Sequence, residues 1–131
     1  MASHSKLNER RCFSLILEAH PLRITPEEII AKLRNILDKL GCEDKLVQGA
    51  TAVAVKKNCL IKILPIISRA PYTSQISLPQ TATVLRIEIL CIDPNDLVHV
   101  AKIIANCFKS QGFNIRIFES VSYTHLTLPT N

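Results

Sequence analysis

The sequence predicts an α+β fold of the ferredoxin-like class, a βαβ(β)βαβ two-layer sandwich with two helices on one face of a mainly antiparallel sheet of four or five strands. Two segments place apolar residues at helical spacing and open with a capping residue followed by proline. Three other segments alternate apolar and polar residues, as strands with one buried face do, and two more are runs of strand-forming residues. Right-handed crossovers between these strands place both helices on the same side of the sheet.

The first helix is predicted over residues 26–40. Thr25 precedes Pro26 and stands three residues before Glu28, which is the spacing of a capping box. Gly41 follows the last apolar residue and supplies the left-handed conformation that ends many helices. The apolar residues at helical spacing are Ile29, Ile30, Leu33, Ile36, Leu37 and Leu40.

The second helix repeats this arrangement. Asp93 is the predicted cap, Pro94 the first helical residue and Asp96 the acidic residue three positions after the cap. Gly112 marks its end. Its apolar residues cover more than half of the circumference, so we expect this helix to be the more central of the two. These residues are Leu97, Val98, Val100, Ala101, Ile103, Ile104, Ala105, Cys107 and Phe108.

The predicted strands cover residues 12–19, 50–55, 59–67, 83–92 and 113–119. The second and third strands are separated only by the polar residues Lys56, Lys57 and Asn58, which predicts a hairpin. Pro65 cannot donate a hydrogen bond to a neighbouring strand, so its strand is predicted to be an edge strand or a bulged one.

One domain is predicted over residues 11–120, because a chain of 131 residues has no room for a second core. Residues 1–10 are expected to be disordered, and residues 68–80 form a long connector that is either mobile or a binding loop. The final segment VSYTHLTLPTN, residues 121–131, resembles a translated sequencing adapter. This resemblance implies a non-native tail, to be left out of fold reasoning, and a natural chain that runs to about Ser120.

The chain carries a formal net charge of +5, from 16 Lys and Arg against 11 Asp and Glu. No basic run exceeds two residues, so the charge fits an attraction to polyanions without requiring one. No apolar stretch reaches the roughly 20 residues of a membrane helix. The residues that interrupt the candidates are Glu18, Lys62, Arg86 and Glu88. We therefore expect no transmembrane segment.

The five cysteines are odd in number and include no CxxC pair. This pattern predicts free thiols in a reducing compartment, the cytoplasm or the nucleus. The cysteines on predicted strands, Cys12, Cys59 and Cys91, are expected to be small buried apolar residues. The isolated glycines predict no phosphate-binding loop, and the spacing of Cys and His predicts no zinc site. We expect no catalytic residue, no cofactor, no metal and no enzyme activity.

The sheet face away from the helices is the predicted interaction surface. Charged and apolar side chains alternate along its strands, so that opposite charges pair across strands and apolar side chains offer contact area to a partner. The candidate residues are Ser14, Ile16, Glu18, Lys62, Leu64, Arg86, Glu88, Arg116 and Phe118. The preferred function is a non-catalytic interaction or regulatory module that dimerises or docks on a protein through this face or an edge strand.

RNA binding is the first alternative function. The candidate anion-binding residues lie in the basic hairpin and the loop that follows it: Lys56, Lys57, Lys62 and Arg69. The RNA-recognition fold stacks bases on aromatic residues of its central strands, and the segments CLIKILPII and TVLRIEILCI contain none. This absence disfavours that mode and leaves weaker, salt-sensitive phosphate binding open.

Binding to an anionic membrane surface is the second alternative. The segment TPEEIIAKLRNILDKLGCEDK, residues 25–45, and the strand LRIEILC, residues 85–91, resemble the first helix and a later strand of the kinase-associated C-terminal domain. The resemblance covers part of the chain, and the final strand departs from the pattern of that family. It implies a domain that binds acidic phospholipids.

Overall fold

The fold is that of a computed structural model, which describes residues 11–69 and 81–125. The described residues form two helices and six strands in an α+β arrangement. In chain order the elements are β1 (Arg11–Pro21), α1 (Pro26–Leu40), β2 (Asp44–Gln48), β3 (Thr51–Lys56), β4 (Cys59–Arg69), β5 (Thr81–Cys91), α2 (Pro94–Ser110) and β6 (Phe113–His125). Within these ranges, neither helix combines the length and apolarity that crossing a membrane requires.

The strands form one open antiparallel sheet in the order β2-β3-β4-β5-β1-β6. The sheet in the described part of the chain therefore has six strands, whereas four or five were predicted. The additional strand is β2, which pairs with β3 from Asp44 opposite Val55 to Gln48 opposite Thr51. Its five residues lack a clear alternation of apolar and polar residues, and its pairing with β3 forms the strand.

Helix α1 has the bounds that the sequence predicts. The Thr25 side chain accepts a hydrogen bond from the Glu28 backbone N–H, and the Glu28 carboxylate accepts one from the Thr25 N–H, which completes the capping box. Gly41 has φ +66° at the other end, a left-handed conformation that glycine adopts without steric cost. Local sequence alone therefore fixes both ends of this helix.

Helix α2 begins at Pro94, as predicted, but its cap differs from the first. The Asp93 carboxylate accepts a hydrogen bond from the Asn95 backbone N–H at 2.8 Å, in place of the bond three residues on that a capping box provides. The helix ends at Ser110, and Gly112, with φ +95°, turns the chain into β6. A Cβ at this glycine would lie 3.2 Å from the Ile24 Cδ1 atom, so the turn also packs closely.

Both helices pack on the same face of the sheet and share one core with it. Helix α2 contacts α1 and the strands β1, β4, β5 and β6, which gives it the central position expected from its broad apolar surface. The helices contribute the buried side chains of Ile29, Leu33, Ile36, Leu37, Leu40, Leu97, Val100, Ile104 and Phe108. The strands contribute those of Leu17, Ala19, Ala52, Ala54, Cys59, Ile61, Ile63, Leu85, Ile87, Ile89, Cys91 and Phe113.

Pro65 lies on a strand inside the sheet, not on an edge strand as predicted. Strand β4 pairs with β5 along its whole length and with β3 only as far as Ile63. Beyond Ile63 no β3 partner stands beside β4, so the missing N–H of Pro65 leaves no ladder hydrogen bond unmade. The proline thus marks the point where an internal strand becomes locally an edge.

The last strand is longer than the alternation of residues 113–119 predicts. Strand β6 continues to His125, which pairs with Arg11 of β1. The segment expected to be a non-native tail therefore takes part in the sheet as far as residue 125. Residues 1–10, which were predicted to be disordered, lie outside the described residues. Residues 70–80 of the predicted connector also lie outside them.

Cys59 and Cys91 form a disulfide, which corrects the prediction that both are free thiols. They are buried, as predicted, and lie opposite each other on β4 and β5 with their Cα atoms 4.2 Å apart. Their 32-residue separation gives no hint of the pairing, which only the strand register creates. The remaining cysteines, Cys12, Cys42 and Cys107, are free, so the cysteine pattern no longer argues for a reducing compartment.

Candidate interaction surface

The predicted surface residues lie on the sheet face opposite the helices. On β1, β4 and β5 they alternate with core residues, and the strand registers place Glu18 opposite Arg86 and Arg116. The same registers place Lys62 opposite Glu88, and Glu88 opposite Ile16. We call this side of the sheet the open face. It divides into a charged half, made of side chains on β5, β1 and β6 together with Lys62 of β4, and a mainly aliphatic half on β2, β3 and β4, which also carries Asp44.

In the charged half, acidic and basic side chains on neighbouring strands form ion pairs. The Glu18 carboxylate lies 3.9 Å from Arg86 Nη2 and 3.2 Å from His20 Nε2. Glu88 Oε1 lies 3.7 Å from Lys62 Nζ. The contact between His20 and Glu18 was not predicted, although their spacing of two residues puts both on one face of a strand. These pairs offer a partner little unsatisfied charge.

The Arg86 side chain extends over β1 and reaches Phe118 of β6 on the open face. Its guanidinium carbon lies 4.5 Å from the centroid of the Phe118 ring, a cation–π distance. The register between β1 and β6 shifts at Phe118, since Glu119 pairs with Ile16 while Ile117 pairs with Leu17. Alternation from Arg116 places the Phe118 ring on the open face, and the bulge adds Glu119, opposite Ile16, to the same face. Arg86 Nε is buried there without a hydrogen-bond partner in the described structure.

In the aliphatic half, large apolar side chains stand in solvent. Five of them are between 36% and 71% exposed on three adjacent strands: Leu46, Val53, Val55, Leu60 and Leu64. We call this group the aliphatic patch. Only Leu64 among them was predicted. Leu60 alternates with Leu64 on β4 and was missed, whereas Leu46, Val53 and Val55 join this surface through the pairing of β2 and β3 with β4. Lys62 lies between Leu60 and Leu64 and opposite Val53, so the patch surrounds this one lysine. Grouped apolar exposure marks an interaction site more often than scattered residues do.

The aliphatic patch ends at an edge of the sheet. Strand β2 pairs with β3 on one side and with no described strand on the other. Leu46 is its most exposed apolar residue, at 71%, and points to the open face beside Val53. On the helical side of β2, Lys45 forms an ion pair with Asp38 of α1. The lysine therefore points away from the open face and does not block it.

The candidate anion-binding residues are not brought together. Lys56 and Lys57 lie at the turn between β3 and β4, whereas Arg69 lies at the other end of β4. Ten residues of extended strand separate those ends by about 33 Å. Lys62, between them, forms its ion pair with Glu88. The described structure thus spreads these four positions along a strand and provides no single basic site among them.

The metal-ligating side chains and the Cys42 thiol bear on the expectation of no metal and no catalytic residue, of which the structure addresses only the grouping of metal ligands. No three His, Cys, Asp or Glu residues converge as metal ligands in the described ranges. Burial raises the pKa of the Cys42 thiol above its ordinary value, an effect that the neighbouring Lys56 and Lys45 partly oppose. A raised pKa keeps this thiol protonated at neutral pH, which is the opposite of what a nucleophilic cysteine needs.

Comparison of the chain with protein-family models, with curated proteins and with solved structures finds no match. The similarity of residues 25–45 and 85–91 to the kinase-associated C-terminal domain therefore remains an expectation from the sequence.

Proposed function

We propose that this domain is a non-catalytic protein-interaction module that dimerises through the outer edge of β2 and the aliphatic patch beside it. The observation that carries the proposal is the exposure of Leu46, Val53, Val55, Leu60 and Leu64 on three adjacent strands that end at an unpaired edge. Pairing of two edge strands satisfies their outward backbone groups and covers apolar side chains in the same step.

A second copy of this chain fits the edge. In an antiparallel pairing centred on Leu46, the two copies of Leu46 face each other, Lys45 faces Val47 and Asp44 faces Gln48. No charged residue then stands directly opposite a like charge. Residues that face each other in this register point to the same side of the sheet, so the patches of both copies join into one apolar surface.

The charged half of the open face is a poorer dimerisation surface. Glu18, Arg86 and Glu88 are already engaged in ion pairs within the chain. Covering these pairs would remove water from charged groups without giving them new partners, which costs free energy. The proposal therefore places the interface on the aliphatic half and assigns the charged half to keeping the sheet soluble and in register.

The finer assignment of the fold is also a proposal. The strand order β4-β5-β1-β6, with α1 following β1 and α2 between β5 and β6, is the arrangement that a ferredoxin-like core requires. In this interpretation β2 and β3 form an added hairpin at the outer edge of β4. The added hairpin then carries the proposed interface.

The test is sedimentation velocity of the 131-residue chain and of two variants across a range of concentrations. Leu46→Asp places two carboxylates opposite each other at the centre of the proposed pairing, so we expect at least a tenfold weaker dimer. Leu22→Asp is the matched control, because Leu22 is also an exposed leucine, at 58%, and lies outside the aliphatic patch. A dimer that both variants weaken equally, or a chain that stays monomeric at high concentration, contradicts the proposal.

The same samples distinguish the alternative functions. Single-stranded RNA and vesicles that contain phosphatidylserine are each added at low and high salt. Binding to either that falls steeply with salt, from a chain that remains monomeric, favours a polyanion-binding function instead.

A further inference from the structure

On the helical side of the sheet, an apolar groove runs between α2 and β6. Leu15 and Leu17 of β1 form its floor, and Ile115 and Ile117 of β6 form one wall. Along the other wall, α2 presents a stripe that begins at Val98 and ends at Lys109. The groove has a volume of about 350 Å³, and its rim side chains Val98 and Ile117 are 54% and 68% exposed.

The groove exists because two helices do not cover a six-stranded sheet. Six strands span about 24 Å, whereas two packed helices span about 20 Å. Leu97, Val100, Ile104 and Phe108 of α2 point into the core, and the adjacent stripe of the same helix, with the small residues Ala101 and Ala105, faces β6. Helix α2 therefore covers the inner side of β6 only in part, since Phe113 is buried while Ile115 is half-buried and Ile117 is exposed.

The corresponding space at the other end of the sheet differs in its chemistry. Between α1 and β2, the cavity is lined by Arg34, Asp38 and Lys45, and the last two form an ion pair. One of the two cations there is thus paired with a carboxylate of the chain itself. The groove beside β6 contains Lys102 and Lys109 on its rim, and no acidic side chain among the described residues lines it.

The spacing of the two lysines defines the charge pattern of an occupant. Lys102 and Lys109 are seven residues apart on one helix, which places their Cα atoms about 10.5 Å apart along its axis. An α-helix packed alongside α2 repeats the same rise, so two of its acidic residues seven positions apart would stand opposite both lysines. Its apolar stripe would cover Val98, Ala105 and Ile117.

We propose that the groove between α2 and β6 binds an acidic amphipathic α-helix of another protein, at a site separate from the aliphatic patch. The stripe from Val98 to Lys109 is about 16 Å long, which corresponds to three turns of such a helix. The undescribed terminal segments of this chain do not match it. Residues 1–10 are mostly polar and include Lys6 and Arg10, and residues 126–131 are too few and contain no acidic residue.

The test titrates the full chain with a labelled 18-residue helical peptide that has leucines along one face and two glutamates seven positions apart. The control peptide replaces both glutamates with lysine. Fluorescence anisotropy is expected to show at least tenfold weaker binding of the control. Amide chemical-shift changes on binding are expected at α2 and β6 and not at the strands of the aliphatic patch, β2, β3 and β4.

Variants of the chain locate the site. Lys102→Gln and Lys109→Gln are each expected to weaken the glutamate peptide about threefold, the effect of losing one exposed ion pair. Lys39→Gln, in the last turn of α1, is the matched control for Lys109→Gln and is expected to leave affinity unchanged. Ala105→Leu fills the groove and is expected to abolish binding, with an unchanged circular dichroism spectrum.

Three results would overturn the proposal. They are failure of the glutamate peptide to bind at about millimolar concentration, equal binding of both peptides, and equal weakening by Lys39→Gln and Lys109→Gln. A further experiment measures binding of the chain and its lysine variants to vesicles of phosphatidylcholine and phosphatidylserine. If the vesicles bind through Lys102 and Lys109 while the peptide does not, the groove belongs to a membrane-binding surface.

Discussion

Reduction of the Cys59–Cys91 disulfide is expected to lower the free energy of unfolding by about 4 kcal/mol at 25 °C. The bond closes a loop of 32 residues in the unfolded chain. The chain-entropy relation for such a loop gives about 12 cal/mol/K, hence the predicted loss of about 4 kcal/mol. The strand pairing holds both residues opposite each other in the folded state, so the main effect of reduction falls on the unfolded chain.

The assay is urea unfolding followed by circular dichroism, with and without reductant. Cys59→Ala/Cys91→Ala removes the bond and should make the chain insensitive to reductant, whereas Cys12→Ala should respond as the parent chain does. Mass spectrometry after alkylation of the unfolded, unreduced chain should find three alkylated cysteines. Five alkylated cysteines, or a reductant effect below about 1 kcal/mol, would refute the reasoning.

Three further predictions concern local features. Lys57 and Asn58 form the hairpin turn with φ of 51° and 62°, a left-handed conformation that glycine adopts without steric cost. Lys57→Gly should therefore stabilise the fold by about 0.5–1 kcal/mol in urea unfolding. Lys56→Gly should destabilise it, because Lys56 lies within β3. Because burial raises the pKa of the Cys42 thiol, alkylation of this thiol at pH 8 should be slower in the folded than in the unfolded chain, and equal rates would contradict this. The stability that the protonated Cys42 contributes should be lost as pH rises above about 8.5. A chain ending at Ser120 loses the end of β6 but no described core residue, and should unfold cooperatively with a loss of at most about 2 kcal/mol, so loss of folding would show that residues 121–125 are essential to the sheet.

The helices were predictable because their ends are determined locally. A capping residue and a proline mark each start, and the bounds of α1 follow from Thr25, Glu28 and Gly41 alone. The face of the sheet that each strand residue occupies was also predictable, since alternation assigns Glu18 and Arg86 to one side and Leu17 and Ile87 to the other.

The features that the sequence missed depend on pairing between distant segments. Strand β2 exists through its register with β3, and the disulfide through the register that places Cys59 opposite Cys91. Leu46 and Leu60 lie on one surface only because β2 pairs with β3 and β3 pairs with β4. The groove beside β6 depends on where α2 lies over the sheet, which periodicity does not reveal.

Hydrogen exchange of the β2 backbone amides, measured at low and high concentrations of the 131-residue chain, tests the proposed interface most directly. If two copies pair along this strand, its outward amides gain protection as the dimer forms, and Leu46→Asp removes the gain. Protection that appears at β6 or on α2 instead, or β2 amides that exchange at the same rate at every concentration, would contradict dimerisation through this edge.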